Sequence, residues 1–217
     1  MDTDAARGNM LINQIRAWDV LDPDTLEILR TVPRERFVAE SMRHLAFADE
    51  MIPIGHGQVM FSPKYEGRFL QALRVTADDQ VLEVGTGSGY MAALLATRAR
   101  AVVTVDIYDE FCEAAACRLQ AQNFRNVRVE QADGSLGYPA AGPYDVILVT
   151  GSMPVLAQEF LSQLRPGGRL GVILGESPVM VAQVITITPA GEQQVELLFD
   201  TDLPPLINAR GGKGFQF

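Results

Sequence analysis

Short apolar runs alternate with amphipathic stretches along most of the chain. Runs rich in β-branched and aliphatic residues predict buried strands, and apolar side chains three and four positions apart predict helices. The predicted strands are 81–84, 101–105, 127–130, 144–149, 169–174, 180–188 and 193–200, and the predicted helices between them are 89–97, 109–122 and 154–164. This alternation predicts an α/β fold with a Rossmann-like, mostly parallel sheet that is covered by helices on both faces.

The two ends of the chain depart from this alternation. Pro189-Ala190-Gly191 predicts a hairpin between the last two strands, which adds antiparallel strands at the C-terminal edge of the sheet. Before the first strand, the apolar spacing predicts helices at 4–16 and 65–73 and a further one opened by Asp22-Pro23. The stretch 51–63 contains two glycines and two prolines and predicts an irregular loop. We therefore expect a helical extension at 1–75, a sheet domain at 76–206 and a flexible tail at 207–217.

The composition narrows the class of protein. The chain has 217 residues, 47% of them hydrophobic, and a formal net charge of −9. The apolar content predicts a folded core, and the negative charge argues against nucleic acid as a partner. Cys112 and Cys117 form neither a metal-binding pattern nor a disulfide framework, so no metal is expected. The first residues lack the pattern of a signal peptide and no apolar run is long enough for a membrane span, which predicts a cytoplasmic protein without a membrane partner.

The densest glycine cluster follows the first predicted strand, in the stretch VLEVGTGSGY at 81–90. Its order of strand, glycine turn and helix is typical of a nucleotide site, because glycine permits positive φ and close approach of a ligand. A plain tight turn and a dinucleotide site are alternatives, but a dinucleotide fold uses G-x-G-x-x-G. Here the spacing is G-x-G-x-G and Glu83 lies inside the strand, which resembles motif I of class I S-adenosylmethionine-dependent methyltransferases.

Further candidates lie where the predicted strands end, because ligands of open parallel sheets bind beyond the carboxyl ends of the strands. Asp106 ends the second strand and is placed to accept hydrogen bonds from both hydroxyls of a ribose; a helix N-cap is the alternative role. Asp133 could accept from an adenine amino group, or form a turn with Gly134. The complete set of predicted cofactor-binding residues is Glu83, Gly85, Thr86, Gly87, Ser88, Gly89, Asp106, Ile107, Asp133, Gly134 and Thr150.

Several stretches of the sequence resemble the protein-L-isoaspartate (D-aspartate) O-methyltransferase family, over roughly residues 10 to 206. They are VPRERFV (32–38), PIGHGQ (53–58), VLEVGTGSGY (81–90), NVRVEQADGSLG (126–137), YDVILVTG (144–151), QLRPGGRL (163–170) and FDTDLPPL (199–206). The resemblance implies methyl transfer from S-adenosyl-L-methionine to the α-carboxylate of an isoaspartyl residue in a protein or peptide. It also implies that the segment after the closing P-L, and with it Asn208, can reach the cofactor.

The sequence departs from the family in the loop expected to face the acceptor, which comprises His56, Val59, Met60 and Phe61. The family's loop is G-Q-T-I-S-x-P, and its serine approaches the acceptor. In this chain Val59 replaces the threonine, Phe61 takes the serine's position, and Ser62, one residue later, is the candidate catalytic side chain. Two alternatives stay open on this ground: a different acceptor, either a small molecule or another protein carboxylate, or a module that binds the cofactor without turnover.

Overall fold

A computed structural model gives the fold and describes residues 3–211. Its strands are β1 (Ile52–Gly55), β2 (Gln58–Met60), β3 (Gln80–Val84), β4 (Ala101–Asp106), β5 (Val127–Gln131), β6 (Tyr144–Met153), β7 (Leu164–Glu176), β8 (Val179–Ile187) and β9 (Gln193–Thr201). Its α-helices are α1 (Thr3–Met10), α2 (Pro23–Thr31), α3 (Pro63–Leu73), α4 (Tyr90–Ala96), α5 (Asp109–Ala121) and α6 (Gln158–Ser162).

Seven strands form one sheet in the order β5-β4-β3-β6-β7-β8-β9. The pairs from β5 to β7 are parallel, and β8 and β9 are antiparallel additions at one edge. This arrangement confirms the predicted fold class. The chain order reverses between β3 and β6, which lie side by side, and this is the position where open α/β sheets bind ligands.

The N-terminal extension is present, but its first helix differs from the prediction. The segment 4–16 does not form one regular helix: α1 ends at Met10, a π-helical turn spans Leu11–Ile15, and a 3₁₀ turn follows at Arg16–Trp18. Asp22 caps α2 as predicted, since its side chain accepts a hydrogen bond from the Thr25 amide.

Two buried apolar clusters lie on the sheet, and one of them joins the extension to the sheet domain. That cluster contains Met10 and Phe37 from the extension together with Val81 and Leu94 from the sheet and its helices. The predicted boundary near residue 75 therefore crosses a continuous core, and the division into domains stays a prediction.

The stretch 51–63 is more regular than the sequence suggests. It contains the two-stranded hairpin β1–β2, in which Ile52 pairs with Met60. Gly55, His56 and Gly57 all take positive φ angles at its tip, of 110°, 51° and 70°. The glycines that disfavour a central strand thus permit the tight reversal that lets two short strands pair.

Tertiary pairing also moves several predicted boundaries between residues 144 and 176. β6 continues to Met153, instead of ending at residue 149, because Ser152 exchanges backbone hydrogen bonds with the segment around Pro204 and Leu206. The predicted helix 154–164 is reduced to α6, and β7 begins early because Leu164 pairs with Tyr144.

None of the helices within residues 3–211 has the length and apolar character needed to cross a membrane. Of the predicted tail at 207–217, residues 207–211 follow the last sheet strand and run beside the carboxyl ends of the central strands. Ile207 is part of the wall of the cavity described below. The remaining residues, 212–217, lie outside the described part of the chain.

Candidate active site

The carboxyl ends of β3, β4 and β6 meet at one solvent-open cavity of about 550 Å³. A smaller adjoining cavity of about 300 Å³ runs between the glycine turn and the β1–β2 hairpin. The predicted residues that line the larger cavity are Val59, Gly85, Gly87, Asp106, Ile107, Asp133, Gly134 and Thr150. Those that line the smaller one are Val59, Met60, Phe61, Glu83, Gly85, Thr86, Gly87, Ser88 and Thr150. His56, Ser62 and Gly89 line neither cavity.

The glycine turn is held closely between β4 and β6. The amides of Gly85 and Thr86 both donate to the Val105 carbonyl, at 2.9 and 3.2 Å. Gly85 has a φ of 97°, and a Cβ atom at this position would lie 2.2 Å from the Thr150 hydroxyl oxygen. The single hydrogen of that hydroxyl is shared between the Val84 and Gly85 carbonyls, at 3.0 and 2.8 Å. Only glycine fits here, because any Cβ atom would collide with the Thr150 hydroxyl that lines the cavity beside it.

Asp106 lies at the carboxyl end of β4 and shapes the turn from the neighbouring strand. One carboxylate oxygen accepts from the Gly87 amide at 2.9 Å, and the other accepts from the Tyr108 amide at 3.1 Å. Burial raises the pKa of Asp106, and these amide hydrogen bonds oppose the rise. Each oxygen has a second lone pair, so the carboxylate can still accept hydrogen bonds from a ligand in the cavity.

Glu83 is fully buried inside β3 and lines the smaller cavity. Its Oε2 accepts from the Thr104 hydroxyl at 2.5 Å, whereas its Oε1 has no hydrogen-bond partner within residues 3–211. Burial raises the pKa of Glu83 to about 8. An unpartnered buried carboxylate oxygen beside a cavity is complementary to a cationic group such as an α-ammonium.

The raised pKa of Glu83 leads to a prediction for the unliganded protein. The folded state holds a proton on Glu83. In the unfolded chain the carboxyl pKa is near its ordinary value of 4.5, so that proton has already been lost there. The free energy of unfolding should therefore fall as pH rises from 4.5 towards 8, by about 2 kcal/mol between pH 5.5 and 7.5 for this group alone. Urea denaturation at the two pH values should show that decrease in the wild type and a smaller one in Glu83→Gln. Equal pH dependence in both proteins would contradict the assignment.

Asp133 faces the larger cavity from the end of β5, but it already has partners. Oδ1 accepts from the Ser135 amide at 2.9 Å, and Oδ2 accepts from the Asn208 side-chain amide at 2.9 Å. Burial acts to raise the pKa of Asp133, but these hydrogen bonds outweigh it and hold the pKa below its ordinary value. The structure thus places Asn208 beside Asp133 at the rim of the cavity.

The β1–β2 hairpin forms a wall of both cavities, and its tip packs against the start of α5. The His56 ring stacks on Tyr108 at 4.1 Å, and its Nε2 lies 2.6 Å from a carboxylate oxygen of Glu110. Val59, Met60 and Phe61 follow along the wall. His56 therefore fixes the hairpin against the start of α5 instead of facing the cavity.

Ser62 lies behind this wall. Its side chain is 2% exposed, and its hydroxyl has no hydrogen-bond partner in the part of the chain that the structure describes. Because the hydroxyl is buried without a partner and lines no cavity, Ser62→Ala is expected to raise the melting temperature slightly. Turnover should stay within about threefold of the wild type, as for substitutions away from a reacting group. A large loss of turnover would indicate that the loop moves and brings Ser62 to the acceptor.

Sequence reasoning missed several residues of this site. Tyr108 and Phe111 line the larger cavity from the start of α5, and Leu206 lines it from the C-terminal segment. Glu66, which lines the smaller cavity, lies on the buried face of α3 with Phe69, Leu70 and Leu73. A carboxylate on an otherwise apolar helical face was the sequence feature that could have indicated it.

A metal site is not part of this arrangement: among residues 3–211, no group of three or more His, Cys, Asp or Glu side chains is placed to hold a metal ion. The polar groups around the two cavities are instead carboxylates, hydroxyls and backbone amides, which suit an organic ligand with hydroxyl and amino groups. The glycine turn lies between the two cavities, with the buried acid Glu83 on the smaller and Asp106, at the end of the next strand, on the larger.

Comparisons with known proteins agree with this geometry. Residues 6–201 match the family model of protein-L-isoaspartate(D-aspartate) O-methyltransferase (PCMT). A relative from Rhodopseudomonas palustris (strain HaA2), named protein-L-isoaspartate O-methyltransferase 1, is 40% identical over 208 residues, covering 95% of this chain and 85% of its own.

Two solved structures share the fold. A structure titled protein-L-isoaspartate O-methyltransferase superposes with a TM-score of 0.79 at 23% identity, covering 95% of this chain and 66% of its own length. A beta-aspartate methyltransferase (PCMT) from Plasmodium falciparum, in complex with S-adenosyl-L-homocysteine, superposes with a TM-score of 0.77 at 17% identity and covers 95% and 98% of the two chains. By the extent of the family match and the identity of its relatives, this chain belongs to the protein-L-isoaspartate(D-aspartate) O-methyltransferase family.

Proposed function

We propose that the protein transfers the methyl group of S-adenosyl-L-methionine to the α-carboxylate of isoaspartyl residues in proteins or peptides. The observation that carries this proposal is the family match over residues 6–201. The site is consistent with it, because the glycine turn borders two adjoining cavities, of which Asp106 lines the larger and Glu83 the smaller. The names of the relatives give no support to a small-molecule acceptor.

The residues around the cavities fit this cofactor. Asp106 would accept hydrogen bonds from the ribose hydroxyls, Asp133 would face the adenine amino group, and the unpartnered oxygen of Glu83 would receive the α-ammonium. The positive-φ glycine turn leaves room for the sugar and the methionine chain. When bound, S-adenosyl-L-methionine supplies an electrophilic methyl group on a sulfonium ion.

The chain's own contribution to the reaction is positioning. An acceptor carboxylate has an ordinary pKa near 4 and is already ionised at neutral pH, so no general base is needed. Alignment of the acceptor oxygen with the methyl carbon and sulfur can supply much of the rate enhancement. Val59, Met60 and Phe61 form a mainly apolar wall beside the glycine turn, which would exclude water from that line.

The direct test is methyl transfer from radiolabelled S-adenosyl-L-methionine to an isoaspartyl peptide. The matched control is the same peptide with a normal aspartyl residue, which has the same charge and composition. We expect labelled ester only with the isoaspartyl peptide. Tight binding of S-adenosyl-L-homocysteine in calorimetry, combined with no ester on the isoaspartyl peptide, would instead favour another acceptor or a module without turnover.

Two further expectations from the sequence stay predictions. Location in the cytoplasm is one of them. The other is contact between Ser62 and the acceptor, which the burial of its hydroxyl disfavours in this conformation.

A further inference from the structure

Arg34 is a fully buried cation in the N-terminal extension, within the 3₁₀ turn Arg34–Arg36. Its side chain is 1% exposed, and so is Glu66, its partner on α3. One guanidinium nitrogen donates to both carboxylate oxygens of Glu66, at 2.8 and 3.0 Å. A buried ion pair of this kind is weak evidence of a role in stability, since apolar replacements are often as stable.

The other hydrogen bonds of Arg34 point to a specific task. Its Nε donates to the Ala46 carbonyl at 2.8 Å, and its second terminal nitrogen donates to the Phe61 carbonyl at 2.6 Å. Phe61 connects the β1–β2 hairpin to α3, and both Phe61 and Glu66 line the smaller cavity. Arg34 therefore fixes the point where the cavity wall leaves the hairpin.

The same guanidinium also contacts the start of α4, the helix that follows the glycine turn. Its central carbon lies 5.3 Å from the centre of the Tyr90 ring, and Tyr90 is the first residue of α4, directly after the turn. A guanidinium over an aromatic face is attracted to it. Arg34 thus contacts the two segments that flank the smaller cavity. It holds the hairpin wall through the Phe61 carbonyl, and it contacts the helix after the glycine turn through the Tyr90 ring.

We propose that Arg34 is a positioning residue for methyl transfer, which sets the Val59–Phe61 wall against the glycine turn by holding the Phe61 carbonyl. This inference rests on the proposed function and deepens it, because it assigns a role in the reaction to the extension. Arg34 touches neither cavity, so it acts through Phe61 and Glu66. The planar fork of arginine is required, since a single ammonium cannot reach Ala46, Glu66 and Phe61 together.

The test uses Arg34→Lys, with Arg7→Lys as its matched control. Arg7 lies in the same extension and pairs with Glu35 through two hydrogen bonds of 2.9 and 3.0 Å, but it does not contact the loop. Backbone hydrogen exchange is measured at residues 59–62, with kcat and KM for an isoaspartyl peptide and the affinity for S-adenosyl-L-homocysteine.

In Arg34→Lys we expect exchange at 59–62 to rise by about tenfold. The kcat should fall by about 100-fold, with the peptide KM and the affinity for S-adenosyl-L-homocysteine near wild-type values. Arg7→Lys should change none of these. If Arg34→Lys does not fold, the double variant Arg34→Gln with Glu66→Gln, which leaves no unpaired charge, carries the same expectation for the exchange at 59–62 and for kcat.

Wild-type exchange at 59–62 in a folded Arg34 variant would overturn the inference, and so would unchanged kcat or an equal effect in Arg7→Lys. If the wild type itself methylates no isoaspartyl peptide, the proposed function fails, and the exchange measurement alone still decides whether Arg34 holds the wall.

Discussion

Gly85→Ala is expected to eliminate measurable binding of S-adenosyl-L-homocysteine and to lower the melting temperature. A φ of 97° is unfavourable for any residue with a side chain, at a cost of about 1–2 kcal/mol. In addition, the new Cβ atom would lie 2.2 Å from the Thr150 hydroxyl oxygen. Displacing that hydroxyl would break the hydrogen bond that it shares between the Val84 and Gly85 carbonyls, at about 1 kcal/mol. Calorimetry and thermal unfolding measure the two effects.

Gly191→Ala is the matched control for this variant. Gly191 also has a positive φ, of 85°, but none of the described residues comes within 4 Å of a Cβ atom built there. The Gly191→Ala variant should therefore lose stability only because alanine is unfavourable at a positive φ, and it should keep full affinity for S-adenosyl-L-homocysteine. Adding Thr150→Ala to Gly85→Ala removes the clashing hydroxyl and should restore part of the stability. Binding by Gly85→Ala within a few fold of wild type would mean that the ligand does not approach the turn.

Asp106→Ala is expected to weaken S-adenosyl-L-homocysteine binding by about 3 kcal/mol, or roughly 100-fold, since charge-assisted hydrogen bonds contribute about 1.5–3 kcal/mol each. The ribose would lose its acceptors, and the Gly87 amide would lose the carboxylate that holds it at 2.9 Å. Isothermal titration gives the affinity directly. The loss should be smaller with adenosine analogues that lack the ribose hydroxyls, because those ligands do not use the carboxylate.

Asp109→Ala provides the comparison for Asp106. Asp109 is the first residue of α5, three positions along the chain, and it is exposed. The Asp109→Ala substitution removes the same charge close to the cavity without removing a group that lines the cavity. Its effect on the affinity for S-adenosyl-L-homocysteine should therefore be small. If both variants lose affinity equally, the contribution of Asp106 is a general effect of charge and not a specific hydrogen bond to the ribose.

The order of strands and helices and the place of the cavity could be predicted from the sequence, because both depend on local chemistry. Buried parallel strands require continuous apolar runs such as Val146 to Val149, and a backbone at positive φ requires glycine, as at Gly85. The carboxyl ends of parallel strands share one edge of the sheet, so Gly85 and Asp106, 21 positions apart in sequence, could be expected at one cavity.

The wall opposite the glycine turn depends on contacts between residues far apart in the chain, and only the folded structure reveals it. Arg34 and Glu66 are 32 residues apart, and nothing in the sequence around either residue indicates that they form a buried ion pair. Ser62 and Phe61 are adjacent in the sequence, but the fold buries the serine hydroxyl and leaves the phenylalanine beside the cavity. Local propensity is set by a residue and its near neighbours, whereas burial and hydrogen-bond partners are set by whichever segments the whole fold packs together.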